Sequence, residues 1–212
     1  TRGGRVVSFK VKENRCDFQR RQPRQAPAGH ENRSKSRDDA RCVLFASFVE
    51  ALIANGARPS SMAAQRNVLV MVAMEEEAQY LKPYLQNPTE VTLRGIPYAV
   101  LRGTIKGVQV DIVVSGIGAV YAASATSAAL LQTTPDCVLS VGCSGAHQPG
   151  QGVGDVVLGS EVVPLDPVVV ERAGASRLSG VRCSMTEKAT MSWPCDEKLT
   201  AVAAEAARRV LV

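Results

Sequence analysis

The sequence predicts an α/β protein, a three-layer αβα sandwich with a mixed, largely parallel central sheet. Apolar segments alternate with helical segments after residue 66, which is typical of strands connected through helices. The apolar fraction of 45% and the charged fraction of 21% suit a chain that buries a core. No apolar run approaches the roughly 18 residues of a membrane-spanning helix, so we expect no membrane partner.

Charge divides the chain into two parts. Residues 1–66 contain 14 Lys and Arg against 6 Asp and Glu (+8), and the rest contains 11 against 14 (−3), which together give the net +5. We therefore expect a disordered basic extension over residues 1–66. The α/β domain over residues 67–212 has no excess of positive charge, so we expect it to bind a small molecule and no nucleic acid.

The cysteines indicate whether the chain binds a metal, and the first 62 residues bear on where in the cell it is located. The six cysteines form no C-x-x-C pair and only two histidines accompany them, so we expect no metal site. Cysteines without paired spacing are typical of proteins in a reducing compartment. If translation begins at Met62, we expect that compartment to be the cytoplasm. The alternative is an organelle, with residues 1–61 as a transit peptide.

The first half of the domain contains strands and one helix. Residues 67–73 are an apolar strand, and residues 75–86 are a helix whose three opening glutamates suit the positive end of the helix dipole. Residues 97–103 and 108–115 are strands of a hairpin, in which Gly107 permits the turn.

The second half continues the alternation. Residues 118–132 are an alanine-rich helix, residues 137–141 a short buried strand and residues 155–162 another strand. Asp196 is the predicted cap of a last helix that runs through Leu211.

Small or charged residues follow three of the strands, at 74–77, 115–118 and 142–145. Ligands of open α/β sheets collect at the carboxyl ends of strands, so these loops are candidate walls of one pocket. Helix capping and ordinary turns also explain glutamates and glycines there. Tyr121 stands where a dinucleotide fingerprint needs its third glycine, and the sequence contains no P-loop motif. The sequence therefore does not support binding of nicotinamide, flavin or ATP.

Taken in order, four motifs resemble the purine-nucleoside phosphorylase and nucleosidase superfamily, and within it 5′-methylthioadenosine/S-adenosylhomocysteine nucleosidases. They are V-M-V-A-M-E-E-E at 70–77, V-S-G-I-G at 114–118, V-G-C-S-G at 141–145 and V-G-D-V-V at 153–157. The resemblance implies a nucleoside phosphorylase-like fold whose carboxyl-terminal part is missing from residues 67–212. It also implies hydrolysis of the N-glycosidic bond of such nucleosides, with release of adenine, in nucleoside catabolism and methionine salvage.

The resemblance assigns roles to particular residues. Glu77 matches the water-activating carboxylate, and Met74 and Ile117 match apolar contacts around the ribose and its 5′ substituent. Cys143, Ser144 and Gly145 match the segment beside the water and the purine, although Cys143 replaces the usual serine. The resemblance implies a homodimer, and no metal or organic cofactor.

Two other functions stay open. A purine or uridine nucleoside phosphorylase needs cations for phosphate, and Ser140 stands where these enzymes carry an arginine. A non-catalytic, storage-like or truncated relative is the other alternative, because the family's Met-Glu pair and Ser-Asp acid are absent from residues 172–212. We therefore expect this chain alone to have little or no nucleosidase activity.

Overall fold

The computed structural model describes residues 5–12, 67–94, 98–144, 149, 151, 155–165, 168–172, 174, 176–181 and 190–210. The strands are β1 (Arg5–Lys12), β2 (Asn67–Val72), β3 (Gln86–Thr92), β4 (Ala99–Ile105), β5 (Val108–Val114), β6 (Cys137–Ser144), β7 (Val156–Leu158), β8 (Glu161–Val162), β9 (Val168–Val170), β10 (Ser176–Leu178) and β11 (Trp193–Pro194). The helices are α1 (Glu75–Ala78), α2 (Ala119–Thr133) and α3 (Glu197–Val210), and a short 3₁₀ turn covers Lys82–Tyr84. Within these ranges, no helix is long and apolar enough to cross a bilayer.

Seven strands form one mixed sheet in the order β3-β4-β5-β2-β6-β1-β7. Parallel pairing joins β5 to β2, β2 to β6 and β6 to β1. Antiparallel pairing joins β3 to β4, β4 to β5 and β1 to β7. The predicted α/β class with a mixed central sheet is therefore confirmed, and three of the six strand pairings in that sheet are parallel.

Helices cover both faces of the sheet, which makes three layers. On one face, Ala125 and Ala129 of α2 lie in a buried cluster with Leu69 and other residues of the sheet. On the opposite face, Leu199 and Ala203 of α3 lie in a second buried cluster with Ala78 of α1 and residues of β2, β5 and β6. Because both faces are covered, β2 is apolar at nearly every position.

A partly buried ion pair joins β4 to β5 on the face covered by α2. Nε and Nη2 of Arg102 donate to Oδ1 and Oδ2 of Asp111 at 2.7 and 2.9 Å. Asp111 is fully buried, and the Arg102 side chain is 35% exposed. Its hydrogen bond to Asp111 raises the pKa of the Arg102 guanidinium. The geometry is the bidentate arrangement that suits guanidinium and carboxylate groups.

The predicted hairpin is confirmed, although its first strand covers Ala99–Ile105 instead of residues 97–103. The antiparallel pairing of β4 and β5 ends at Ile105 and Val108, and the two residues between them, Lys106 and Gly107, have φ of 48° and 79°. Two consecutive positive φ angles are typical of the type I′ turn, whose twist matches that of the strands. Predicted strand 67–73 and predicted helix 118–132 are also confirmed, with ends that differ by one residue.

The predicted helix over residues 75–86 is wrong beyond its first turn. Helix α1 has four residues, and Pro83 then lies in the first turn of the 3₁₀ segment. Proline lacks the N–H that a continuing helix needs. Edge strand β3, which follows, has no period-two apolar pattern, because nearly all of its residues are exposed. Hence the sequence analysis missed it.

Other boundaries also differ. The predicted strand over residues 155–162 is two strands, β7 and β8, separated at Ser160, whose carbonyl accepts the N–H of Cys195. Strand β6 continues three residues beyond the predicted Val141. Strands β9, β10 and β11 were not predicted, since each has only two or three residues.

The structure places part of the expected disordered extension in the sheet. Arg5–Lys12 pairs with β6 in parallel and with β7 in antiparallel orientation. In this stretch Val7, Phe9 and Val11 alternate with polar residues, the period-two pattern of a strand. The rest of residues 1–66 lies outside the described residues.

Candidate functional site

The three candidate loops follow strands that end at one edge of the sheet. Strands β5, β2 and β6 are adjacent and parallel, so their carboxyl ends coincide there. The loop after β5 is tied to the end of β2: the N–H and the Oγ of Ser115 donate to the carbonyl of Val72 at 2.9 and 3.1 Å.

Glu77 is the third residue of α1, and one of its carboxylate oxygens binds the backbone just before that helix. Oε2 accepts the N–H of Ala73 at 2.8 Å and the N–H of Met74 at 3.1 Å. A glutamate at this position that reaches back to the N-cap N–H is half of a capping box. Helix capping, which the sequence analysis offered as an explanation for glutamates at this position, therefore accounts for the contacts of Oε2.

The other oxygen of Glu77 binds β6. Oε1 accepts the N–H of Cys143 at 3.0 Å, and Sγ of Cys143 lies 3.4 Å from the same oxygen. These two residues are 66 positions apart in the chain. The carboxylate of Glu77 therefore receives three backbone N–H groups and one thiol, which matches the roughly four lone-pair sites of a carboxylate.

The neighbouring glutamates do not share this environment. Glu75 and Glu76 are exposed, whereas Glu77 is half-buried. Glu75 accepts a hydrogen bond from Lys82, and the pair is solvent-exposed. Of the three consecutive glutamates, Glu77 is therefore the one directed to the end of β6.

Gly142 leaves the space in which the Glu77 carboxylate lies. A Cβ atom added to Gly142 would lie 2.9 Å from Oε1 and 3.4 Å from Cδ of Glu77. Real Cβ atoms essentially never come that close to a heavy atom. A side chain at this position would therefore compete with Glu77.

The structure gathers some of the predicted site residues and leaves others apart. Glu77, Met74 and Cys143 share one set of hydrogen bonds, and half-buried Ser144 ends β6 beside them. Ile117 is 72% exposed, on the loop that Ser115 ties to β2. Gly145 lies outside the described residues.

Glycines give the Ile117 loop its shape. Gly116 and Gly118 have φ of 88° and 113°, a region that side-chain-bearing residues rarely adopt. Gly118 is also the N-cap of α2. The S-G-I-G motif therefore turns the chain sharply from β5 into α2 and leaves Ile117 facing outward.

A separate cavity of about 140 Å³ lies beside α1. Its lining includes Glu75, Lys82, Tyr98 and Val114, and it does not include Glu77 or Cys143. We take the hydrogen-bonded cluster as the candidate site, because its polar groups converge on one carboxylate. In the described part of the chain, no group of three or more His, Cys, Asp or Glu side chains could hold a metal ion.

Sequence reasoning missed the backbone contributors to this site. The N–H donors of Ala73 and Cys143 carry no residue-type signal of their own, and the glycine at 142 does not by itself show which group approaches it. One signal was present: a glutamate in the third position of a helix reaches back to the preceding backbone. The contact across to β6 depends on the strand register and is visible only in the structure.

Asp196, which the sequence analysis kept out of the site, caps α3. Its Oδ1 accepts the N–H of Leu199 at 2.9 Å, the side-chain contact of an N-cap residue. The predicted cap is confirmed.

Comparison with known proteins gives a consistent family match. A family model described as the phosphorylase superfamily matches residues 67–211. A 5′-methylthioadenosine/S-adenosylhomocysteine nucleosidase of Lysinibacillus sphaericus is 33% identical over 143 residues, which are 68% of this chain and 58% of that relative. The corresponding nucleosidase of Anoxybacillus flavithermus is 38% identical over 100 residues, which are 47% of this chain and 42% of that relative.

Two solved structures of nucleosidases have a fold similar to that of this chain. The nucleosidase of Neisseria meningitidis in complex with methylthio-immucillin-A aligns with a TM-score of 0.56 and 29% identity, over 68% of this chain and 58% of that one. The nucleosidase of Colwellia psychrerythraea in complex with adenine aligns with a TM-score of 0.54 and 28% identity, over 67% of this chain and 55% of that one. The chain thus spans about half the length of the proteins it matches.

Proposed function

Since the chain belongs to the phosphorylase superfamily, we propose that the protein hydrolyses the N-glycosidic bond of purine nucleosides of the 5′-methylthioadenosine/S-adenosylhomocysteine type. Adenine would be released, in nucleoside catabolism and methionine salvage. Support comes from relatives that are nucleosidases by name and from solved neighbours bound to a nucleoside analogue and to adenine. The observation that carries the proposal is the Glu77 carboxylate, held at the sheet edge where ligands bind.

In this proposal Glu77 is the general base. Glycosidic cleavage passes through an oxocarbenium-like state, and a carboxylate that orients and deprotonates water assists its capture. Donors on two strand ends fix the Glu77 carboxylate before substrate arrives, which reduces the cost of orienting the base. The thiol of Cys143 is the weakest of its donors, so the attacking water takes that position on Oε1.

The remaining site residues receive the roles that the resemblance implies. Met74 and Ile117 are proposed to contact the ribose and its 5′ substituent, and Ile117 is exposed as a ligand contact requires. Cys143, Ser144 and Gly145 are proposed to line the space beside the water and the purine. Glu77, Met74 and Cys143 form one cluster, which supports the assignment.

Water is the proposed nucleophile in preference to phosphate. Among the described residues, the donors to Glu77 are backbone N–H groups and a thiol, whereas a phosphate dianion would need fixed cations beside it. Arg102 is committed to Asp111 on β5. Ser140, at the position of the arginine in the phosphorylases, offers no charge.

We also propose a homodimer in the cytoplasm. Helix α2 exposes a large apolar side chain near each end: Val120 is 81% and Leu131 is 83% exposed, and these residues are about three turns apart on one side of the helix. A surface with large exposed apolar side chains suits contact with another protein. A second copy of the chain is the proposed occupant, and the cytoplasmic location rests on the cysteine pattern.

The test compares two glutamates that differ by one position. Adenine release from methylthioadenosine is measured for the 212-residue chain and for the full product of its gene, each as wild type, Glu77→Gln and Glu76→Gln. In the full product of the gene, we expect Glu77→Gln to lower kcat by about 10²-fold to 10⁴-fold, the usual contribution of a general base; the 212-residue chain is expected to release little or no adenine. Exposed Glu76 is the matched control and should retain wild-type activity.

Two outcomes would overturn the proposal. If the full gene product releases no adenine, the proposed activity is wrong. If adenine release continues at the wild-type rate in Glu77→Gln, the assigned base is wrong. Dependence of the reaction on added phosphate would indicate the phosphorylase alternative.

A further inference from the structure

The backbone conformation at Gly142 does not require glycine, because its φ angle is not positive. The described glycines with positive φ are Gly107, Gly116, Gly118, Gly174 and Gly180, and Gly142 is not among them. It lies within strand β6, where glycine weakens a strand because it has no side chain to pack. Glycine inside a strand often marks a place where another group approaches the backbone closely.

The approaching group at Gly142 is the Glu77 carboxylate. An added Cβ would be 2.9 Å from Oε1, which is 0.5 Å inside the 3.4 Å at which ordinary contact begins. The next residue, Cys143, donates its N–H to the same oxygen at 3.0 Å. Adjacent residues of β6 therefore give Glu77 a space and a hydrogen bond.

We propose that Gly142 is a positioning residue for Glu77: its missing side chain lets the carboxylate lie against β6, within reach of the Cys143 N–H. This inference rests on the proposed function for its effect on the reaction. With alanine at this position, Oε1 has to retreat by about half an ångström or more. The hydrogen bonds to Ala73, Met74 and Cys143 then cannot all be kept.

The variant Gly142→Ala should fold. The backbone of Gly142 needs no positive φ, and the atom in conflict is the far end of a flexible side chain. The methyl group should displace Glu77 and leave the β6 backbone in place. Because a misplacement of about 1 Å can cost 10²-fold in rate, we expect kcat to fall by about 10-fold to 10²-fold while KM changes little.

A measurement that does not depend on catalysis separates this inference from the proposed function. The backbone amides of Ala73, Met74 and Cys143 donate to Glu77, so their ¹H–¹⁵N NMR signals report its position. We expect Gly142→Ala to shift the same three signals that Glu77→Gln shifts. The control Glu76→Gln should shift none of the three.

A double-mutant cycle provides the second measurement. Gly142→Ala should lower the melting temperature of the wild type but not that of Glu77→Ala, in which the carboxylate is absent. Unmoved amide signals, or an equal loss of melting temperature in both backgrounds, would overturn the inference. If Gly142→Ala moves the amides in a protein that releases no adenine, the positioning role holds and the proposed function fails.

Discussion

Removal of the Arg102 guanidinium is predicted to destabilise the domain strongly. Arg102→Met keeps an aliphatic side chain, but among the described residues it leaves fully buried Asp111 with only the weak contact from Nε2 of Gln109, at 3.4 Å. Breaking a buried pair from one side costs about 3–5 kcal/mol, because a charge stays buried without its partner. The Arg102 side chain is 35% exposed, so we take the lower end, about 3 kcal/mol.

Thermal and urea unfolding, followed by far-UV circular dichroism, measure this loss. At about 4 °C per kcal/mol for a domain of about 150 residues, the melting temperature should fall by about 12 °C. Exposed Arg94 is the matched control, and Arg94→Met should stay within about 0.5 kcal/mol of the wild type. The double variant Arg102→Met/Asp111→Leu should recover most of the loss, since a buried ion pair can be replaced by apolar residues.

The reasoning fails if Arg102→Met loses less than about 1 kcal/mol, or about 4 °C. It also fails if the double variant is as unstable as the single one. The first result would mean that water solvates Asp111 once the arginine is gone. The second would mean that the guanidinium contributes through packing and not through its charge.

Two more predictions concern the helices. Asp196→Ala removes the cap of α3 and should cost about 1 kcal/mol, or about 4 °C in the melting temperature; exposed Lys198→Ala should cost less than half of that, and equal losses would contradict the capping role. Leu131→Glu places a charge on the outer side of α2, so sedimentation should show the proposed homodimer of the wild type replaced by monomers in this variant. The control is Val170→Glu, at a residue that is 71% exposed and lies outside α2, and it should leave the proposed dimer intact. A dimer that persists in Leu131→Glu would show that α2 is not part of the interface.

The predictable part of the fold is the part with strong local signals. Strand β2 has an apolar run, the β4–β5 hairpin has a turn glycine and α3 has an aspartate cap, and all three were predicted. Edge strand β3 is exposed along most of its length, so no burial pattern marks it. The predicted helix over residues 75–86 was too long because Pro83 was not taken as a stop.

The site was predictable to the level of the loops that form it. Parallel strands end at one edge, so the loops of Glu77 and Cys143 could be placed at the same edge, but the contact between the two residues depends on the strand register. The donors of Ala73 and Cys143 are backbone groups that every residue type carries. The importance of Gly142 depends on which atom of which residue faces it, and that is a property of the three-dimensional register.

The space at Gly142, in which the Glu77 carboxylate lies, exists only when β2 and β6 are correctly aligned. Met71 of β2 is paired with Ser140 of β6, and this pairing brings Gly142 opposite the carboxylate. A slip of one residue would put Val141 or Cys143 there and replace open space with a side chain. A misaligned sheet could not accommodate the Glu77 side chain in this position, so strand alignment and the placement of this carboxylate depend on the same few atoms.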